Sequence, residues 1–129
     1  MTQDWRWVDI AVALAAHGEQ LAEHGGAIGV RDMSMLESAM ARPLNLVAYE
    51  DPDIADLAAS YAFGIARNHP FVDGNKRTAA VVSETFLLLN DHELACNDVE
   101  LVTTFLGLAA GELSVEALSA WFRAHIRAA

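Results

Sequence analysis

The chain has 129 residues, enough for one compact domain and too few for two ordinary ones. Hydrophobic residues make up 53% of it, which excludes a disordered tail. Eighteen acidic against eight basic side chains give a net charge of −10, the wrong sign for direct nucleic-acid binding and a sign that favours basic macromolecular partners.

A single cysteine, Cys96, rules out an intrachain disulfide and suits a reducing compartment. The opening Met1-Thr2-Gln3-Asp4 carries no basic leader followed by an apolar block. No uncharged apolar run approaches the ~18 residues of a membrane span. The expectation is a cytoplasmic domain, residues 1–129, with no membrane contact. Strand signals are almost absent, whereas helical ones recur. Val8, Ala11, Leu14 and Leu21 share one face over Trp7 to His24, and Gly25-Gly26 supplies a stop. Asp32 or Ser34 caps a short helix through Met40, expected to halt at Pro43. Asp53 caps Ile54 to Asn68, with Leu57, Ala58, Tyr61 and Ile65 on one face and Pro70 beyond the end.

The next helix, Asn75 to Asn90, is apolar nearly all round, which predicts the central and most buried helix. Asn97 with Glu100 has capping-box spacing and opens a helix to about Ala110. After Gly111, Ser114 caps a last helix through Trp121, Phe122 and Ile126. The fold class read from this pattern is all-α, a compact bundle of about six helices.

One segment departs from the plain helical pattern: His69-Pro70-Phe71-Val72-Asp73-Gly74-Asn75-Lys76-Arg77. Lys76 is the only lysine in the chain, and Arg77 follows it at a helix start, where the macrodipole prefers anions. Local choices that oppose folding are expected where function overrides it. Free N–H groups after Gly74, the positive helix end, Lys76 and Arg77 together suit a phosphate. Asp73 suits a Mg²⁺ shared with phosphates, His69 can take a proton from a hydroxyl, and Asn75 can donate to a phosphate oxygen. Phe71 serves as an apolar anchor. Each residue also has a plain structural reading. His69 can end a helix, Asp73 can be a turn residue, Asn75 can be an N-cap, and the cations can be solvated. Their concentration within nine positions between two helices favours the functional reading.

This segment resembles the signature of the Fic/Doc family, specifically its Doc toxin branch. The similarity continues in Gly25-Gly26, Ala48-Tyr49-Glu50, Ala66-Arg67, Lys76-Arg77-Thr78-Ala79 and Gly111-Glu112 followed by Ser114-Val115. The resemblance implies a Fic/Doc-like helical domain whose motif loop, at the start of the central helix, binds ATP and Mg²⁺. By the same resemblance His69 is the base, Asp73 holds the metal, and Gly74, Asn75, Lys76, Arg77 and Arg67 surround the nucleotide. Adenylyl-transferring Fic enzymes usually carry glycine where this chain has Lys76, and a second arginine where it has Ala80. Doc-type members carry the lysine and are similar to kinases, with the γ-phosphate toward the attacking hydroxyl. The implied target is a threonine of translation elongation factor Tu. AMP transfer to a protein hydroxyl is the alternative, and a non-catalytic helical binding module a third.

Two further expectations follow from the resemblance. The stretch Arg42-Pro43-Leu44-Asn45 is expected to form a flap that aligns the target beside His69. No Ser or Thr stands four residues before a Glu in the pattern of self-inhibited Fic proteins, and Ala80 removes the arginine such a glutamate would engage. Inhibition is therefore expected in trans, from an antitoxin whose tail folds into a helix along a groove of the toxin.

Overall fold

Helices begin where a side-chain oxygen can hold an otherwise free backbone N–H, and five of the six helices among the described residues start this way. The computed structural model describes residues 4–129; Met1 to Gln3, the start inspected for a leader, lie outside the described residues. Asp9 caps α1 (Ile10–His24) and Asp32 caps α2 (Met33–Tyr49). Asp53 and Asp56 form a reciprocal capping box at α3 (Ile54–Asn68). Asn97 caps α5 (Asp98–Ala109), and Ser114 caps α6 (Val115–His125). The exception is α4 (Asn75–Leu89), which opens on Gly74 at φ +79° with no side-chain cap. Two three-residue strands, β1 (His92–Leu94) and β2 (Ile126–Ala128), pair antiparallel with Glu93 opposite Arg127.

The fold is all-α in substance, with α3 at its centre, packed against α2, α4 and α6. Leu57, Ala58, Ala62 and Ile65 of α3 are fully buried, as is Tyr61, whose hydroxyl accepts the Val8 N–H at 3.0 Å. Burial pushes the Tyr61 phenol above its ordinary pKa. Phe86 of α4 completes an aromatic cluster with Tyr61, Trp5 and Trp7, at centroid separations of 5.2, 6.1 and 6.0 Å. On the surface, Arg123 holds Asp53 at 2.8 Å and Asp56 at 3.0 Å, keeping the Asp53 carboxyl below its usual value. These half-exposed groups fasten α6 to the start of α3, an arrangement typically worth ~0–1 kcal/mol per pair.

Several expectations need correction. The helix expected to halt at Pro43 continues to Tyr49 with Pro43 buried inside it. Proline removes the bond to the Ala39 carbonyl, but burial of Leu36, Ala39, Met40 and Pro43 against α3 holds the segment helical. The first helix begins at Ile10, since the Asp9 carboxylate accepts the Ala11 N–H, although Val8 is still buried. The most buried helix is α3; α4 is central, but its Leu88 is 59% exposed. At Asn97 only half of the expected box forms, because the Glu100 carboxylate turns to His125 at 2.9 Å. Ile126 leaves α6 to enter β2, a pairing too short to give a periodic signal.

Close approach of α2 and α3 depends on Gly64. A Cβ there would lie 3.2 Å from Ala39 Cα and 3.3 Å from Ala39 O, both backbone atoms that cannot swing aside. Gly64→Ala should therefore lower stability by about 1–2 kcal/mol despite the ~1 kcal/mol that alanine adds in helix propensity. Urea unfolding measures this, and an unchanged or raised midpoint would mean that the two helices separate without cost.

Candidate active site

The motif loop runs from the end of α3 to the start of α4, and its neighbours hold it along its length. His69 is the C-cap of α3, with φ +52° and ψ +52°, and its N–H reaches the Ile65 carbonyl at 3.1 Å. A left-handed conformation at a non-glycine residue is uncommon and tends to persist where function needs the side chain. The capping and functional readings of His69 thus coexist: the backbone ends the helix while the imidazole faces a cleft. Among the described residues no side chain engages that ring.

Phe71 is the anchor expected. It is fully buried and stacks on His17 of α1, with ring centroids 3.8 Å apart and planes 8° from parallel. Asn75 is buried and holds the Phe71 backbone from both sides: Oδ1 accepts its N–H and Nδ2 donates to its carbonyl, each at 2.9 Å. Asn75 is therefore a clasp on the loop, and it lines the cleft beside Lys76 and Arg77. His17 Nε2 meets the Asp73 carbonyl at 2.8 Å, and the Gly74 N–H donates to Asp73 Oδ1 at 2.8 Å.

The helix start then meets open space. Thr78 is the first residue of α4 to bond back into the turn, to the Gly74 carbonyl at 3.0 Å, which leaves the N–H groups of Asn75, Lys76 and Arg77 without intrahelical acceptors. A cleft of roughly 570 Å³ lies before them. One wall carries His69, Asp73, Gly74, Asn75, Lys76 and Arg77, with Ala80 behind them. The opposite wall is apolar and comes from α5: Leu101, Val102, Phe105, Leu106 and Ala109. Lys76 and Arg77 are exposed, and among the described residues neither forms a salt bridge although the chain has eighteen acids. Asp73 stands alone: no group of three His, Cys, Asp or Glu residues gathers among the described residues. A lone carboxylate fits a divalent ion that takes its other ligands from phosphates and water, not one caged by protein.

Two expected contributors fall elsewhere. Arg67 lies over the Phe63 ring at 5.4 Å, beside Gly111, and does not line the cleft. Arg42, Pro43, Leu44 and Asn45 are not a flap loop but a turn of α2. Arg42 also lies over the Phe63 ring, at 4.8 Å, and, with Asn45, lines a separate cavity of about 600 Å³ between α2, α3 and α6.

The segment that does run along the motif is Gly25 to Asp32, in which the sequence marked Gly25-Gly26 as a helix stop and part of the family resemblance and Asp32 as a cap, with no contact to the motif expected. Val30 bridges Phe71 in antiparallel fashion, the Val72 N–H donates to Gly29 O at 3.1 Å, and the Arg31 and Asp32 N–H groups share the Pro70 carbonyl at 2.7 and 3.0 Å. Arg31 adds side-chain bonds to the carbonyls of His69 and Asn68 at 2.7 and 2.9 Å. Gly26, at φ +125°, cannot be replaced freely, since a Cβ would meet Asp73 Oδ2 at 2.8 Å. The α5 wall was also missed as part of the site; its signal was the apolar Leu101, Val102, Phe105, Leu106 and Ala109 at spacings of three and four, of which Val102 and Leu106 are exposed.

Comparison with known proteins identifies the family. The model of the Fic/DOC family matches residues 7–87. The chain is similar to Toxin Doc of Mycolicibacterium smegmatis, 45% identical over 75 residues, and the match spans 57% of this chain and 58% of that protein. It is also similar to Protein kinase doc of Escherichia phage P1, 34% identical over 107 residues, spanning 82% of this chain and 84% of that one. Among the described residues, no helix is long and apolar enough to cross a membrane.

The clasp on Phe71 sets a measurable expectation. Asn75→Ala would leave one buried N–H and one buried carbonyl without partners, a loss of about 2–4 kcal/mol. Urea denaturation reads it directly, and a change below ~0.5 kcal/mol would show that the loop holds its shape without Asn75.

Proposed function

Since the chain belongs to the Fic/DOC family, in its Doc toxin branch, we propose that it is the toxin of a toxin–antitoxin pair and a kinase that moves the γ-phosphoryl group of ATP to a protein hydroxyl. The observation that carries the reading is a shared cleft: His69 and the uncapped, doubly cationic start of α4 face the same space. By the family resemblance, the target is a threonine of a translation factor such as elongation factor Tu. Bound ATP with Mg²⁺ would supply the transferable phosphoryl group.

In this reading the residues divide the work by their chemistry. Asp73 holds the metal, and the first-turn N–H groups with Lys76 and Arg77 hold phosphate oxygens. The apolar face of α5 takes the adenine. His69, whose ring is otherwise unengaged, accepts the proton of the attacking hydroxyl. By the family resemblance, Lys76 stands where AMP-transferring enzymes carry glycine and would crowd their nucleotide pose, and the Ala80 methyl offers nothing to a phosphate there. This supports γ-transfer over AMP transfer. The target chain lies along the Gly25–Val30 segment, where Ile28 is 84% exposed beside the motif.

Incubation of the protein with a bacterial lysate and radiolabelled ATP tests the proposal. Label from the γ-position on protein is the expected result. Label from the α-position would replace it with AMP transfer, and neither label would leave a binding module.

Substitutions probe the assignments. His69→Ala should lower transfer by about 10²–10⁴ with an unchanged circular dichroism spectrum. His69→Gly should abolish transfer equally while raising stability by up to about 1 kcal/mol, because glycine relieves the left-handed backbone. Transfer at the native rate in either variant removes His69 from the chemistry. Lys76→Gly should lose γ-transfer; full retention would remove the reason for preferring a kinase.

A further inference from the structure

Among the described residues His17 is the buried histidine, 5% exposed, and it lies on α1, far in sequence from the motif. Its Nε2 meets the Asp73 carbonyl at 2.8 Å. A carbonyl oxygen only accepts, so Nε2 carries the proton. The ring plane is fixed by its stack on Phe71, and its Cδ2 edge lies beside Gly74, 3.5 Å from where a Cβ on that residue would be.

We propose that His17 is a positioning residue of the anion site, holding the Asp73–Gly74 peptide with its carbonyl inward and its N–H toward the cleft. This rests on the phosphate-binding reading given above. The physical argument is the planarity of the peptide: in a trans unit C=O and N–H point in opposite directions, and among the described residues no peptide is cis. Anchoring the carbonyl on α1 therefore sends the Gly74 N–H to the cleft side, in line with the free N–H groups of α4. An anion already sits there, since Asp73 Oδ1 takes that N–H at 2.8 Å. A phosphate oxygen takes the same place when Asp73 turns to a cation. Gly74 is the residue able to rotate at this point, because its φ of +79° is a region other residues resist. Without the His17 donor, rotation would turn the negative end of the Asp73 carbonyl toward the phosphates. If His17 were only core filling, an aromatic ring of similar shape would serve as well.

The test uses the full chain labelled with ¹⁵N. His17→Phe keeps a ring to stack and removes the donor; His17→Gln removes the stack and keeps a donor at similar reach. The Gly74 N–H residual dipolar coupling reports the direction of that bond in the free protein, and titration with inorganic pyrophosphate reports the site. In His17→Phe the Gly74 coupling should change while those of α2, α3 and α6 stay, and pyrophosphate should bind about tenfold more weakly. His17→Gln should recover the native coupling and most of the affinity. An unchanged Gly74 coupling in the Phe variant, or a Gln variant behaving like Phe, overturns the proposal. So does a native ring spectrum showing His17 protonated at Nδ1 alone, a measurement that needs no variant to fold. If pyrophosphate leaves the native Gly74 amide unmoved, the phosphate reading of the cleft fails, and the dipolar coupling still decides whether His17 orients the peptide.

Discussion

An anion site at a helix start, the role proposed for the start of α4, needs backbone N–H groups that have no partner, and a loop leading into such a start has few regular partners of its own. The structure meets both demands by tying nearly every other polar group of the turn to something outside it. The carbonyls of Asn68 and His69 take the Arg31 guanidinium, and that of Pro70 takes two N–H groups from the same neighbouring segment. Phe71 is held by Asn75, Val72 by Gly29, and Asp73 by His17. What stays open is the first turn of α4. Polar groups this close to a core would otherwise compete for those N–H groups, so saturation of the loop keeps the helix start unpaired.

Charge is distributed by the same logic. The body is strongly acidic, yet the cations with acidic partners are spent away from the cleft: Arg123 on Asp53 and Asp56, and Arg127 on Glu93. Lys76 and Arg77 keep theirs unneutralised at the mouth of a space whose far wall is apolar. Close to a low-dielectric wall a point charge acts more strongly than on an open surface. A small cationic focus can therefore hold an anion in a molecule whose long-range field repels it. Dependence on ionic strength would then carry two opposing parts, one from approach and one from contact.

Much of this was legible in the residues. Asp53, Asn97 and Ser114 mark their helix starts because short polar side chains cap through local geometry alone. The motif loop stood out because two cations at a helix start contradict local preference. What was not legible depends on contacts distant in sequence. Pro43 stays helical because burial against α3 outweighs one missing hydrogen bond, and nothing within a few residues announces that burial. The role of Gly25 to Asp32 beside the motif is a single bridge with irregular partners, which has no period. Arg67 and Arg42 looked available for the site, but both settle on Phe63, and an aromatic ring's claim on a cation cannot be read from spacing.

The saturated loop also bears on how such a site can be switched off. Distorting it would break several of its hydrogen bonds at once, each worth about 1 kcal/mol net, before any occupant was displaced. Covering the cleft breaks none of them. The exposed Val102 and Leu106 of α5 already border that opening. On the proposed reading, a regulator would meet far less resistance as a plug than as a lever, and its removal would uncover a site already assembled, with no refolding step.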